Sequence, residues 1–479
     1  MEFYRKLIGF LIQKAYFFRE KRKRNDRKMS KKIIQVQERP PLKQAIPLSI
    51  QHMFAMFGAS VLVPTLFGIN PAVVLLMNGL GTLFFFWITK GKAPAFLGSS
   101  FAFIGPALIV MSRYKDAPGG GFAYAQGGFV AVGVLIGLLA LIIYKFGSDW
   151  IETLLPPAAM GPVVALIGLE LSGTAASTAG VLPSTSYQLA EGTQGLYRQV
   201  VTGVDSRNVI VFLITLGVAV FGSILFRRFL SVIPILIAII CGYVAAVCVG
   251  IVDFTQVEQA GVVSLPHFQL ARFRMDAVVT MLPVALLVIS EHIGHQIVTS
   301  EVVGHNLLKD PGLHRSLLGD SISTMVSGLV GSVPTTTYGE NIGVMAMTKV
   351  YSVWVIGGAA VISILCSFIG KLSTLISTIP GPVIGGISFL LYGMIGASGL
   401  RILVDSKVDF GRNRNIVMTS VIFVTGLSGV SLQIGAVELK GMVLACVVGM
   451  LLGLLFHIFD RMHWTNDTVD EDGAASGDQ

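Results

Sequence analysis

The 479-residue chain reads as an all-α polytopic membrane protein of fourteen spans in two inverted halves, with its third and tenth spans broken by extended stretches. Three observations carry that reading. Hydrophobic residues make up 53% of the chain and charged residues 13%, against roughly 25% charged in soluble domains. The apolar residues fall in runs long enough to cross a bilayer, about 20 residues each. Short motifs in the first half reappear, in the same order, in the second. The mean hydropathy of +0.74 and the 54 glycines fit membrane helices that pack closely.

The first seven apolar runs lie near 45–66, 71–89, 100–112, 124–145, 157–173, 208–225 and 230–250. The second seven lie near 277–298, 316–331, 339–350, 353–370, 375–399, 415–430 and 438–458. The third and tenth are too short to cross as helices alone, and small-residue stretches, GSSFAF and VPTTTY, precede them. Placing the basic N-terminus inside puts Lys90, Lys92, Lys145, Arg227, Arg228, Lys309, Arg315, Arg401, Lys407, Arg412 and Arg414 in cytoplasmic loops. Fewer basic residues lie in the opposite loops, so both termini are expected in the cytoplasm.

The net charge of +8 is concentrated in the first 43 residues and in these loops, the pattern of contact with anionic lipid rather than with nucleic acid. The ending TVDEDGAASGDQ reads as a solvated acidic tail, residues 461–479. Lys and Arg follow the apolar patch LIGFLI at 7–12, and no small-residue cleavage site does, so it is not a signal peptide. An interfacial helix and a translation start at Met29 both remain open there. Cys241, Cys248, Cys366 and Cys446 lie in apolar runs without metal-ligand spacing and read as packing residues.

The fifth span has Pro157, Gly161 and Gly168, and the twelfth repeats the spacing with Pro382, Gly386 and Gly393. SIQH (49–52) is echoed by ISEH (289–292), and SSFAF (99–103) by TTYGE (336–340). An odd number of spans per half places the halves in opposite orientation. Inverted repeats with paired broken helices point to a secondary transporter whose substrate sits at the breaks.

Ionisable residues deep in a membrane mark function by default. In VISEHIGHQIV, Glu291 and His295 are four apart on one helix face, with His292 turned away. The alternative, a plain interhelical packing pair, stays open. The H-x-x-H of 292–295 lacks a third ligand, so no metal is expected. Each break frees backbone N–H groups, near Phe101 and near Gly339. Together with two carboxylates, Glu291 and Glu340, and the rings of Phe101 and Tyr338, these suit a planar base with alternating C=O and N–H groups. Uracil matches that inventory. Glu291 beside His295 is the expected proton carrier, the proton being the coupling ion and no other cofactor being required.

These residues resemble the nucleobase–ascorbate transporter (nucleobase–cation symporter) family. Glu340-Asn341-Ile342-Gly343 through Thr348-Lys349 matches its E/Q-N-x-G-x4-T-R/K signature, and Gln51-His52 its Q-H motif. The similarity extends over about 37–460, through ERPPL, LGSSFAF, PPAAMG, DPGLHRS and GAVELKGM, and is closest to the bacterial uracil-transporting members. The resemblance implies two inverted seven-span repeats, with short antiparallel strands in spans 3 and 10. It implies a core domain of 44–145 and 251–370 moving elevator-like against a gate domain of 146–250 and 371–460. It also implies a homodimer in the cell membrane that imports uracil with protons.

Carried over by position, Glu291 and Glu340 hold the uracil N–H groups, while Phe101 and Gly339 supply backbone donors. Tyr338 lies beside the ring, and His295 supports Glu291. Purine-transporting relatives usually carry Gln at the first signature position. A carboxylate only accepts, whereas an amide also donates, so Glu340 favours a pyrimidine. The near alternative is a purine or xanthine symporter of the same fold, and the distant one a membrane-embedded metalloenzyme. A hydrolase motif and a Walker A loop are both lacking, so no enzyme activity is expected.

Overall fold

The computed structural model describes residues 33–189, 197–227, 230–231, 233–435 and 437–464. The patch at 7–12, the Met29 start and the acidic tail beyond Trp464 lie outside the described residues, as does most of the basic segment 1–43. From the N-terminal side the helices are α1 (Leu42–Phe67), α2 (Pro71–Ile88), α3 (Ile104–Arg113), α4 (Gly120–Phe146), α5 (Asp149–Leu154), α6 (Pro157–Glu170) and α7 (Ser172–Thr178). Then follow α8 (Ser206–Leu225), α9 (Pro234–Cys248), α10 (Thr255–Gln259), α11 (Met275–Met281), α12 (Val284–Val303) and α13 (Leu313–Val330). The chain continues with α14 (Gly339–Thr348), α15 (Val353–Ser367), α16 (Gly370–Ser377), α17 (Gly381–Asp405), α18 (Asn413–Leu427) and α19 (Gly441–Arg461).

Among the described residues, eight helices are long and apolar enough to cross a membrane; three more apolar helices, Phe101–Arg113, Pro234–Cys248 and Val353–Ser367, are shorter. The protein is thus a mostly helical, multi-pass membrane protein. The expected run 375–399 is divided, because Pro380-Gly381-Pro382 ends α16 and starts α17 with proline at its first turn, where a missing N–H costs nothing. Elsewhere local chemistry sets the ends. Asn70 Oδ1 accepts from Ala72 N at 2.8 Å to start α2, and Gly304 and Gly331, with φ of 73° and 98°, stop α12 and α13.

The chain is not purely helical. Strand β1 (Leu97–Ser99) pairs antiparallel with β4 (Thr335–Thr337), with Leu97 opposite Thr337 and Ser99 opposite Thr335. Two further hairpins correct the all-α expectation. They join β2 (Ser184–Leu189) to β3 (Tyr197–Thr202), and β5 (Ser431–Ile434) to β6 (Val437–Lys440). Both lie in connections between apolar helices, where the strands satisfy one another's backbone groups by pairing.

The helices carrying the two glycine echoes, α6 and α17, pack on each other. A Cβ on Gly168 would strike the carbonyl oxygen of Tyr392, and one on Gly399 the backbone of Ala165. Small residues of this kind bring membrane helices into backbone contact. Gly168→Leu is expected to lower stability by about 1–3 kcal/mol through overpacking, read as a lower thermal midpoint in detergent. An unchanged midpoint would show that the two helices separate without cost. Where the loops after α2 and α12 meet, Lys92 Nζ lies 2.7 Å from Asp310, and this hydrogen bond holds the Asp310 carboxyl below its usual range.

Candidate functional site

The paired strands β1 and β4 are the centre from which the site is built. Each runs directly into a helix start: β1 into a 3-10 turn at Phe101–Phe103 and then α3, β4 into α14. No side chain caps either start, so the first-turn N–H groups and the positive ends of two helix dipoles converge there. The strands are held by Tyr338 N donating to Phe96 O at 3.1 Å and Ser100 N to Pro334 O at 2.9 Å. The Tyr338 hydroxyl donates to Ser99 O at 3.1 Å, and its ring lies over Gly98, where any Cβ would collide with it. Glycine in a strand marks this kind of close approach.

Helix α12 packs against α14 and β4, which brings Glu291 and His295 to the strand junction. Glu291 interacts electrostatically with Glu340 and with Asp320, and its Oε2 has no hydrogen-bond partner. His295 behaves differently from the sequence expectation. Its Nδ1 lies 3.1 Å from Thr337 Oγ1, so its hydrogen bond is to the strand rather than to Glu291. Its Nε2 is 3.3 Å from where a Gly339 Cβ would stand. Phe101 meets Tyr392 of α17 edge to face, with ring centroids 6.2 Å apart.

Six sequence-predicted residues are therefore brought together: Phe101, Glu291, His295, Tyr338, Gly339 and Glu340. Five of these six are half-buried, Tyr338 alone being fully buried, while the strand residues around them are fully buried. That is the signature of a small interior cleft rather than a lipid-facing surface. Gln51 and His52 lie buried on α1, which contacts both β1 and α14, and neither nitrogen of His52 has a partner. Asn341 is fully buried with both amide atoms unpartnered. Gly343 has open space around it. Thr348 lies away from the cleft, at the far end of α14, where its hydroxyl donates to Val344 O at 2.8 Å.

Sequence reasoning missed a second buried polar group beside the cleft. His292 places Nδ1 2.7 Å from Asp320 Oδ2 and Nε2 2.8 Å from Ser316 Oγ. Thr336 of β4 donates to the same Asp320 oxygen at 3.4 Å. The neighbouring threonines Thr336 and Thr337 thus tie β4 to α13 and α12 respectively. The signal was available, since Asp320 is an acid inside an apolar run. Tyr392 and Gly98 carry no comparable mark in the sequence. No cluster of metal-ligating side chains is found among the described residues.

Residues 43–435 match the Permease family. Over 446 residues the chain is 52% identical to the "Uracil permease" of Escherichia coli (strain K12), covering 93% of this chain and 99% of that protein. It is 51% identical over 439 residues to the "Uracil permease" of Paenibacillus larvae subsp. larvae, covering 92% and 100%. Among solved structures, the transmembrane domain of a cyanobacterium bicarbonate transporter, BicA, superposes with a TM-score of 0.59 at 14% identity, over 88% of this chain and 100% of that one. That likeness concerns the fold.

Proposed function

Because the chain belongs to the Permease family, and so is a transporter rather than an enzyme, we propose that its cargo is uracil, taken into the cell together with protons. The curated relatives named "Uracil permease" support the cargo. The single observation that carries the chemistry is the β1–β4 junction, where the half-buried carboxylates Glu291 and Glu340 lie beside two uncapped helix starts, Glu340 within the first turn of one of them. Uracil has two carbonyls and two N–H groups in alternation. Glu291 and Glu340 accept from the N–H groups, and the first-turn amides at Phe101 and Gly339 donate to the carbonyls. The rings of Phe101 and Tyr338 flank the base, with Tyr392 closing from α17.

In this reading Glu291 takes the proton, and His295 steadies the strand beside it. Protonation of Glu291 from outside removes one of the two negative charges of the loaded cleft; loss of that proton inside leaves two carboxylates to repel one another and release the base. Core segments 44–145 and 251–370 carry the site past the gate segments 146–250 and 371–460 in an elevator-like movement. Fourteen spans in two inverted halves, both termini in the cytoplasm, residence in the cell membrane and a homodimer complete the proposal.

The test is labelled-uracil uptake by proteoliposomes with and without an inward proton gradient, with xanthine as competitor. Accumulation driven by the gradient and indifferent to xanthine is expected. Glu340→Gln should weaken uracil binding by about 10- to 100-fold, the cost of losing one charged acceptor. Equilibration without accumulation would remove the proton coupling. Strong competition by xanthine would move the substrate to a purine.

A further inference from the structure

The segment 33–39 precedes the stretch matched by the family, yet it is built into the structure around the substrate helix. Ile34 N donates to Lys349 O at 3.0 Å, Tyr351 N to Ile34 O at 2.8 Å, and Val353 N to Val36 O at 2.9 Å. Ser352 Oγ donates to Glu38 O at 2.6 Å. The Ile34 side chain is 3% exposed and packs with Val350 and Val355. Val36 packs on the cluster that contains Tyr338, Ile342 and Met345. Arg39 lays its guanidinium 3.5 Å from the centre of the Trp354 ring, a cation–π contact.

The backbone hydrogen bonds and the Arg39 contact converge on 349–354, the stretch that follows α14, while Ile34 also reaches Val355 and Val36 reaches α14 itself. Lys349 there has φ of 61° and ends α14 as its left-handed cap, four residues before α15 begins. Helix α14 has ten residues, about 15 Å at the α-helical rise, half of what a bilayer requires. A helix this short is marginal by itself, so its position is set by what holds its two ends. One end is β4 and the cleft; the other is held by the segment 34–39.

We propose that residues 34–39 form a clasp that positions α14, and through it Gly339 and Glu340, in the cleft; this rests on α14 being the substrate helix. Ile34, Val36 and Arg39 are positioning residues, acting at the far end of the helix from the base. The clasp ties the segment that precedes the proposed core to residues 349–353 of that core, so it travels with the site and keeps the cleft's geometry constant during the movement.

Two variants loosen it by different routes. Ile34→Asp puts a charge into the buried contact with Val350 and Val355. Val353→Pro deletes the donor to Val36 O and exchanges one apolar side chain for another. Val353 is the first residue of α15 and Ser352 before it has ψ of 123°, so proline fits both positions. Hydrogen exchange on the full-length protein should show the amides of 341–348 exchanging about tenfold faster or more in Ile34→Asp, and less so in Val353→Pro, with α4 unchanged. The KM for uracil should rise in the same order while the maximal rate stays within about twofold, the pattern of a binding loss without a chemical one. Unchanged exchange in α14, with only a lower thermal midpoint, would overturn the clasp. Should wild type fail to bind uracil, the transport reading falls, and the exchange comparison still decides the clasp.

Discussion

Glu291→Gln will abolish gradient-driven accumulation of uracil while leaving a folded protein that reaches its normal thermal midpoint. Glutamine has nearly the same shape, so packing around α12 is preserved. It cannot carry a proton, and its amide nitrogen donates where the carboxylate accepted. Removing a hydrogen bond to a charged acceptor costs about 1.5–3 kcal/mol, or about 10- to 150-fold in affinity. Under the proposed symport the coupling loss is larger, because with residue 291 neutral throughout the cycle nothing links the base to the proton gradient. Counterflow exchange of labelled against unlabelled uracil separates the two effects. Residual exchange with no accumulation is the expected outcome. Full accumulation in the variant would place the proton elsewhere, with Glu340 or Asp320 the next groups to replace.

The second large effect is on stability. Asp320→Ala leaves His292, fully buried, without the partner of its Nδ1 and strips Thr336 of its acceptor. Removing one member of a buried pair typically costs about 3–5 kcal/mol, whereas replacing both by apolar residues is far milder. The double variant His292→Leu/Asp320→Leu should therefore be more stable than Asp320→Ala alone. Thermal unfolding in detergent of wild type, His292→Leu, Asp320→Leu and the double variant measures the coupling directly. Equal midpoints for wild type and Asp320→Ala would show that the pair adds nothing to stability. Transport should fall in both variants, since each removes the tie between α13 and the strand that leads into Tyr338.

What could be read from the sequence follows a physical division. Apolar runs announce helices that face lipid, because hydrophobicity is what the bilayer selects. The broken segments were visible for a related reason: small polar residues in SSFAF and TTYGE are costly in hydrocarbon unless they line a cleft. The six cleft residues were likewise reachable, being charged, aromatic or glycine in places where the bilayer favours neither charge nor a break. The partners of those residues were not. Whether His295 turns to Glu291 or to Thr337 depends on the depth at which β4 crosses α12, and spacing along one helix says nothing about that. Gly98 looks like one of many glycines until Tyr338 is seen above it. The hairpin built on Ser184–Leu189 and Tyr197–Thr202 lies outside the apolar runs, and that of Ser431–Ile434 with Val437–Lys440 only touches the start of the run at 438–458, so hydropathy carries no mark of either.

The pairing of β1 with β4 also has a consequence for how the protein is made. Ser99 and Tyr338, joined across this junction, are 239 residues apart in the chain. At about 5–20 residues per second, a ribosome needs roughly 10–50 s to travel from one to the other. Throughout that interval the backbone of β1 has no strand to pair with, and hydrocarbon offers its N–H and C=O groups nothing in exchange. The nascent segment that carries β1 must therefore wait in a wet or protein-lined place, such as the insertion machinery itself, until the segment that carries β4 arrives. Truncated chains ending before Thr335 should be found associated with that machinery and open to protease, whereas chains extending past α14 should leave it.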